Sequence, residues 1–141
     1  MVDFLSPSER SERMSRIRSK DTRPELALRK VLHALGLRYR LHGAGLPGKP
    51  DLVFPRYKTV VFVHGCFWHR HSRCSIATTP KSNTQFWLDK FDKNVARDAK
   101  VITDLQAQGW KVQVVWECEL SSSSKVHQVG EKLVEVIKQP D

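Results

Sequence analysis

Two of the chain's three cysteines and three of its six histidines crowd into one stretch, His64-Gly65-Cys66-Phe67-Trp68-His69-Arg70-His71-Ser72-Arg73-Cys74. Thiolate and imidazole are ligands that zinc prefers, four to an ion in a tetrahedron. Cys66 and Cys74 lie close in sequence, and either His69 or His71 can supply an imidazole. The third cysteine, Cys118, follows the strand-like run 112–116, so folding can bring it alongside. Three cysteines and one histidine close a structural site. Spacing leaves the choice between His69 and His71 open, and the histidine not taken stays free for chemistry. The bland alternative makes the thiols small buried hydrophobes. An odd cysteine count, with no secretory signal ahead of it, argues against a disulfide framework.

Asp51 suggests a different metal. It follows Gly48-Lys49-Pro50 and heads the apolar run Leu52-Val53-Phe54. Aspartate is a poor strand former and costs stability if buried unpaired, whereas a divalent cation would satisfy it. A turn aspartate capping backbone amides is the competing explanation. Glu25 has a structural one: in Thr22-Arg23-Pro24-Glu25 it is the acid of a helix capping box. Phe67 and Trp68 are two large adjacent aromatics in an otherwise polar loop, either core side chains or a surface that stacks on something flat.

The 141 residues predict a single domain with one core. Lys and Arg number 24 against 15 acidic residues, a formal charge of +9 with pI ≈ 9.8. That balance suits a polyanion, nucleic acid before membrane. No run is long enough to span a bilayer and no targeting signal is recognisable, so a cytoplasmic location is expected. Residues 1–23, rich in Ser and Arg, read as a basic arm and short helix that a phosphate backbone would order, and residues 24–141 as the domain proper.

Positioning these groups requires an ordered set of elements. Leu26, Leu28, Val31, Leu32 and Leu35 give the first helix its apolar face, and Gly36 stops it. Alternation over residues 37–41 predicts a half-buried strand, residues 52–54 a second, and the run ending in Val60-Val61-Phe62-Val63 a buried third. A helical region follows from a cap at Asn83 to about residue 108, interrupted near 91–94, with Lys90 on its basic side. A fourth strand is expected over 110–118, a serine spacer over 121–124 and a last helix over 125–138. Helix, three strands, helix, strand, helix implies an α/β fold, a mixed sheet with helices packed on it.

That order, with an acid on the second strand, resembles the restriction-endonuclease-like nucleases. Pro50-Asp51 fits their pattern, but the following strand is apolar and carries no acid-x-Lys, so a base must come from elsewhere. His64-Gly65-Cys66-Phe67-Trp68-His69, Phe86-Trp87-Leu88, Lys93-Asn94-Val95, Trp110 and Val115-Trp116-Glu117-Cys118 then resemble, more specifically, the very short patch repair endonucleases. Those DNA mismatch enzymes nick one strand beside a thymine mispaired with guanine. The resemblance runs from about residue 8 to residue 120.

It implies a restriction-endonuclease-like core with a structural zinc on Cys66, His71, Cys74 and Cys118. Asp51 would bridge two magnesium ions, with the Val63 carbonyl as a further ligand, because Val63 replaces the family's usual Thr. His69 would be the general base with Glu25 beside it. His64 would assist at the water or phosphate, and Asp98 would support His64. The expected DNA-contacting residues are Met14, Phe67, Trp68, Trp87 and Lys90, with Phe67 and Trp68 as a wedge between base steps. Expected partners are duplex DNA with a T:G mismatch, mismatch-repair proteins and an associated cytosine methylase, for a monomer working on the nucleoid. Ser72 and Arg73 separate His71 from Cys74 where relatives often have one residue. The rival class is a non-catalytic zinc module that only binds DNA, which would leave Asp51 and the spare histidine without a role.

Overall fold

A computed structural model describes residues 22–43 and 45–139. The expected arm, Met14 included, lies outside the described residues except for Thr22 and Arg23. Helix α1 (Arg23–Ala34) starts as its capping pattern predicts, the Glu25 carboxylate accepting a bond from the Thr22 N–H at 3.3 Å. Gly36, at φ +96°, turns the chain out of it.

The next elements are β1 (Arg40–Leu41), β2 (Leu52–Phe54), a 3₁₀ turn (Pro55–Tyr57) and β3 (Thr59–His64). After them come α2 (Thr84–Ala107), β4 (Lys111–Trp116), a second 3₁₀ turn (Glu117–Leu120) and α3 (Ser123–Lys138). The sheet order is β1-β2-β3-β4, with β1/β2 and β2/β3 antiparallel and β3/β4 parallel. This is the mixed sheet with flanking helices that the element order implies.

Alternation along the strands sorts the core into two layers. Leu52, Phe54, Val61 and Val115 face α1 and α3, meeting Leu28, Leu32, Leu133 and Ile137. Val53, Val60 and Phe62 face the other way, against Leu105 and Val101 of α2.

Four expectations need correction. β1 is two exposed residues rather than a strand over 37–41, because the Leu37 N–H bonds back to the Leu32 carbonyl and completes the helix exit. α2 runs unbroken through 91–94: Phe91 is buried, and the Asn94 amide spends itself on the Trp68 carbonyl instead of competing for its own backbone. Asn83 sits at the cap position in a left-handed conformation without a side-chain cap bond. Last, β4 ends at Trp116, and α3 begins at Ser123, with Ser122 as its cap accepting from the Lys125 N–H.

Candidate active site and metal centre

The parallel pairing of β3 with β4 sets His64 opposite Trp116. Cys66 lies two residues beyond the first and Cys118 two beyond the second, so equal offsets from one register pair bring the two sulfurs together. His71 reaches back to both, its Nδ1 at 3.6 Å from the Cys66 Sγ and 3.4 Å from the Cys118 Sγ. Cys74 completes the group, and one ligand atom from each of the four lies within 4.8 Å of the others. The ring of His71 lies flat on Trp116, centroids 4.3 Å apart, which fixes the direction of Nδ1.

The sulfurs are not equivalent as thiols. Burial pushes Cys66 up to about 12 and raises Cys118, whereas the Ile76 backbone N–H helps bring the half-buried Cys74 down to about 7. Three sulfurs and one imidazole nitrogen so close together suit a thiophilic divalent ion, which would take all three as thiolates. The histidine left open by spacing is thus His71 at the cysteines, which leaves His69 free.

His69 enters a cleft of about 320 Å³, lined also by Lys49, Asp51, Val63, His64, Arg97 and Asp98. Its Nδ1 lies 2.6 Å from Asp98 Oδ2, a short charge-assisted bond that holds the hydrogen on Nδ1 and leaves Nε2 as the proton acceptor. His64 stacks on His69 with centroids 3.9 Å apart and planes 6° from parallel. Burial, then the neighbouring His69, holds His64 down to about 4, so it stays neutral at neutral pH while Asp98 opposes the shift. Asp98, expected in a supporting role near His64, lies beside it and bonds its stacking partner His69 directly.

Asp51 stands where β2 starts, and its Oδ2 accepts from the Val63 N–H at 2.7 Å. Burial pushes its carboxyl up to about 7 against that hydrogen bond, with Glu25 adding to the rise and Arg29 opposing it. Glu25 is only 1% exposed and pairs with the Arg29 guanidinium at 2.7 Å. It therefore caps α1 and charges the Asp51 environment at once. A buried carboxylate with a second one nearby is a donor set that a hard cation would stabilise.

Beside the cleft, Phe67 and Trp68 meet edge to face at 5.0 Å, and Phe67 packs on Phe91 at 5.1 Å. Both are half-buried. Trp87, expected at the DNA surface, is 4% exposed and lies under Phe67 and Trp68, while its neighbour Phe86 is 59% exposed. Lys90 Nζ sits 5.4 Å over the Trp68 ring.

Sequence reasoning missed the residues that hold this loop. Arg70 donates to the carbonyls of Phe67, Ala77 and Thr78 and to the Thr79 hydroxyl, and its guanidinium lies 4.0 Å over the Phe91 ring. Glu117 accepts from the Cys66 N–H at 3.0 Å. Asn94 bonds the Trp68 carbonyl at 3.2 Å, one helical turn before Asp98. Asn94 and Glu117 stood inside the motifs of the resemblance without a role, and the interleaving of Arg70 between His69 and His71 reads equally well as a DNA contact.

Residues 2–75 match the family described as DNA mismatch endonuclease Vsr. The chain is 53% identical over 121 residues to the type II nicking enzyme V.XorIIP of Xanthomonas oryzae pv. oryzae, covering 86% of this chain and 88% of that one. It is 49% identical over 138 residues to the type II nicking enzyme V.NmeAIP of Neisseria meningitidis, covering 98% of each. Identity to the DNA mismatch endonuclease Vsr of Escherichia coli is 44% over 126 residues, 89% of this chain and 80% of its relative.

Proposed function

Because this chain belongs to the family of the DNA mismatch endonuclease Vsr, we propose that it nicks one strand of duplex DNA beside the thymine of a T:G mismatch, the lesion left by deamination of 5-methylcytosine. The enzyme is a DNA mismatch endonuclease, and the nick would start very short patch repair. The observation that carries the reading is the single cleft where Asp51, His64 and the His69–Asp98 pair meet.

Hydrolysis of a phosphodiester needs a deprotonated water in line with the leaving oxygen. His69 accepts that proton on Nε2, and Asp98 stabilises the imidazolium that results. His64, kept neutral by burial, orients the water or a phosphate oxygen without competing for the proton. Glu25 tunes the charge around Asp51 rather than moving a proton, since its carboxylate is engaged by Arg29 and the Thr22 N–H. Asp51 and the Val63 carbonyl would hold magnesium, whose chemistry there is to activate water and neutralise charge on the phosphate and leaving oxygens. Cys66, His71, Cys74 and Cys118 would hold one zinc, which fixes the loop carrying His69 and takes no part in the reaction.

The mixed sheet with Asp51 at the head of its second strand supports a restriction-endonuclease-like core. Phe67 and Trp68, braced from beneath by Trp87 and flanked by Lys90, would wedge into the stack at the mismatch, with Met14 entering from the other groove. The enzyme would act as a monomer on the nucleoid in the cytoplasm, with mismatch-repair proteins and a cytosine methylase as its functional partners. Among the described residues no helix is long and apolar enough to cross a membrane.

The test is a magnesium-dependent nicking assay on matched duplexes carrying T:G, T:A or C:G at one position. Nicking of the T strand in T:G alone is expected. Equal cleavage of all three would remove mismatch recognition from the reading.

A further inference from the structure

We infer that Lys49 and Arg97 form a phosphate clamp in the catalytic cleft, gripping the non-bridging oxygens of the phosphate that is cut. The inference rests on the nicking function proposed above. Both side chains line the cleft together with Asp51, His64, His69 and Asp98. Among the described residues neither makes an ion pair or a side-chain hydrogen bond, although Asp98 directly follows Arg97 in sequence. Two exposed cations left uncompensated beside buried or bonded acids are available to an anionic ligand.

The backbone is bent to present Lys49. Gly48 and Lys49 are successive left-handed residues, at φ +69° and +46°. Glycine adopts that conformation freely, but lysine is strained there, and such strain concentrates at functional sites. A side chain at Gly48 would also collide with Val101 of α2. The loop is thereby seated on the same helix that carries Arg97 and Asp98, so the two cations are set against one rigid element.

The chemistry calls for such a pair. Negative charge accumulates on the phosphoryl oxygens during hydrolysis, and fixed cations that meet it there lower the barrier. Nucleases with this order of elements usually place a lysine on the third strand, two residues beyond an acid. Here that strand is apolar from Val60 to Val63. Lys49, two residues ahead of Asp51, and Arg97, one ahead of Asp98, restore the missing charge from the loop and the helix. Lysine acts as a point charge, whereas arginine can hold two oxygens at once. The clamp breaks no bond and moves no proton.

Single-turnover nicking of a T:G duplex at saturating protein, with equilibrium binding across a salt series, tests the clamp in Lys49→Gln and Arg97→Gln. Each variant should lose about 10–1,000-fold in rate. Each log–log salt slope should become shallower by about one. Lys49→Arg should recover most of the loss, and Arg97→Lys the salt slope but not the rate, with zinc content and thermal midpoint at parental values. Unchanged rates and slopes in both Gln variants would overturn the clamp, as would losses that track a lower midpoint or lost zinc. If the parent protein fails to nick T:G duplex, the proposed function falls, and the salt slopes still decide whether these two residues meet phosphate.

Discussion

A half-buried carboxylate beside a buried one, as Asp51 is beside Glu25, retains a proton up to about pH 7 unless a cation takes its place. Its value when folded lies above the ordinary 3.8, so the folded state binds the extra proton and stability falls as pH rises from about 4 to about 7. Asp51→Asn removes that penalty. Without added magnesium the variant should be more stable than the parent at pH 8 by on the order of 1–4 kcal/mol and equal to it near pH 4. Urea melts at the two pH values check this, and an equal gap at both would show that burial does not oppose ionisation of Asp51. The same residue should be indispensable for nicking, so stability and activity move in opposite directions. Asp98 is separable from this. An amide in its place donates to Nδ1 of His69 and forces the hydrogen onto Nε2, which removes the acceptor. Asp98→Asn should lower the single-turnover rate by about 10²–10⁴-fold with DNA affinity intact. A rate within a few-fold of the parent would separate His69 from the proton transfer.

Among the elements, those with strong local signals were legible. The capping pattern at Thr22 and Glu25, the apolar run of β3 and the element order all correspond to the structure. What failed was decided by distant contacts. Phe91 and Asn94 look like a helix break until their side chains are seen to leave the helix for the loop at Phe67 and Trp68. Residues 37–41 alternate like a strand, yet Leu37 is committed to the end of α1. At the site, the ligand class was legible in the spacing and the choice of His71 only in the family resemblance, because the β3/β4 register that brings Cys66 to Cys118 is not written in sequence spacing. Arg70 is the clearest omission, because its worth lies in four acceptors several residues away. The loop it braces carries the proposed wedge. Trp68→Ala should leave zinc content and thermal stability nearly unchanged and weaken binding to mismatched DNA by about 1–3 kcal/mol, the usual worth of a base–aromatic stack. A stability loss of roughly 3–5 kcal/mol with discrimination retained would instead make Trp68 a core residue.

For the whole molecule, the cysteine cluster, with zinc bound as proposed, would act as a clasp across the ends of β3 and β4, joining positions that the sheet has just released. Cys118→Ser should lower zinc content and the thermal midpoint together, since a structural ion contributes directly to folding. Metal analysis beside a melt measures both, and full stability of the zinc-free protein would show that the sheet does not need the clasp. A second grip lies nearby: Asn94 holds the Trp68 carbonyl and Asp98 the His69 ring, two adjacent loop residues on two adjacent turns of α2. Helix pitch therefore serves as a gauge for the loop. One residue inserted between 94 and 98 would swing Asp98 by about 100° around the axis, and His69 would lose its partner. Past His71 no such gauge applies. Ser72 and Arg73, both exposed, bridge to Cys74 with Arg73 in a left-handed turn at φ +57°. A change of length there would leave both grips in place, whereas between Cys66 and His71 it would move the His69 ring away from Asp98.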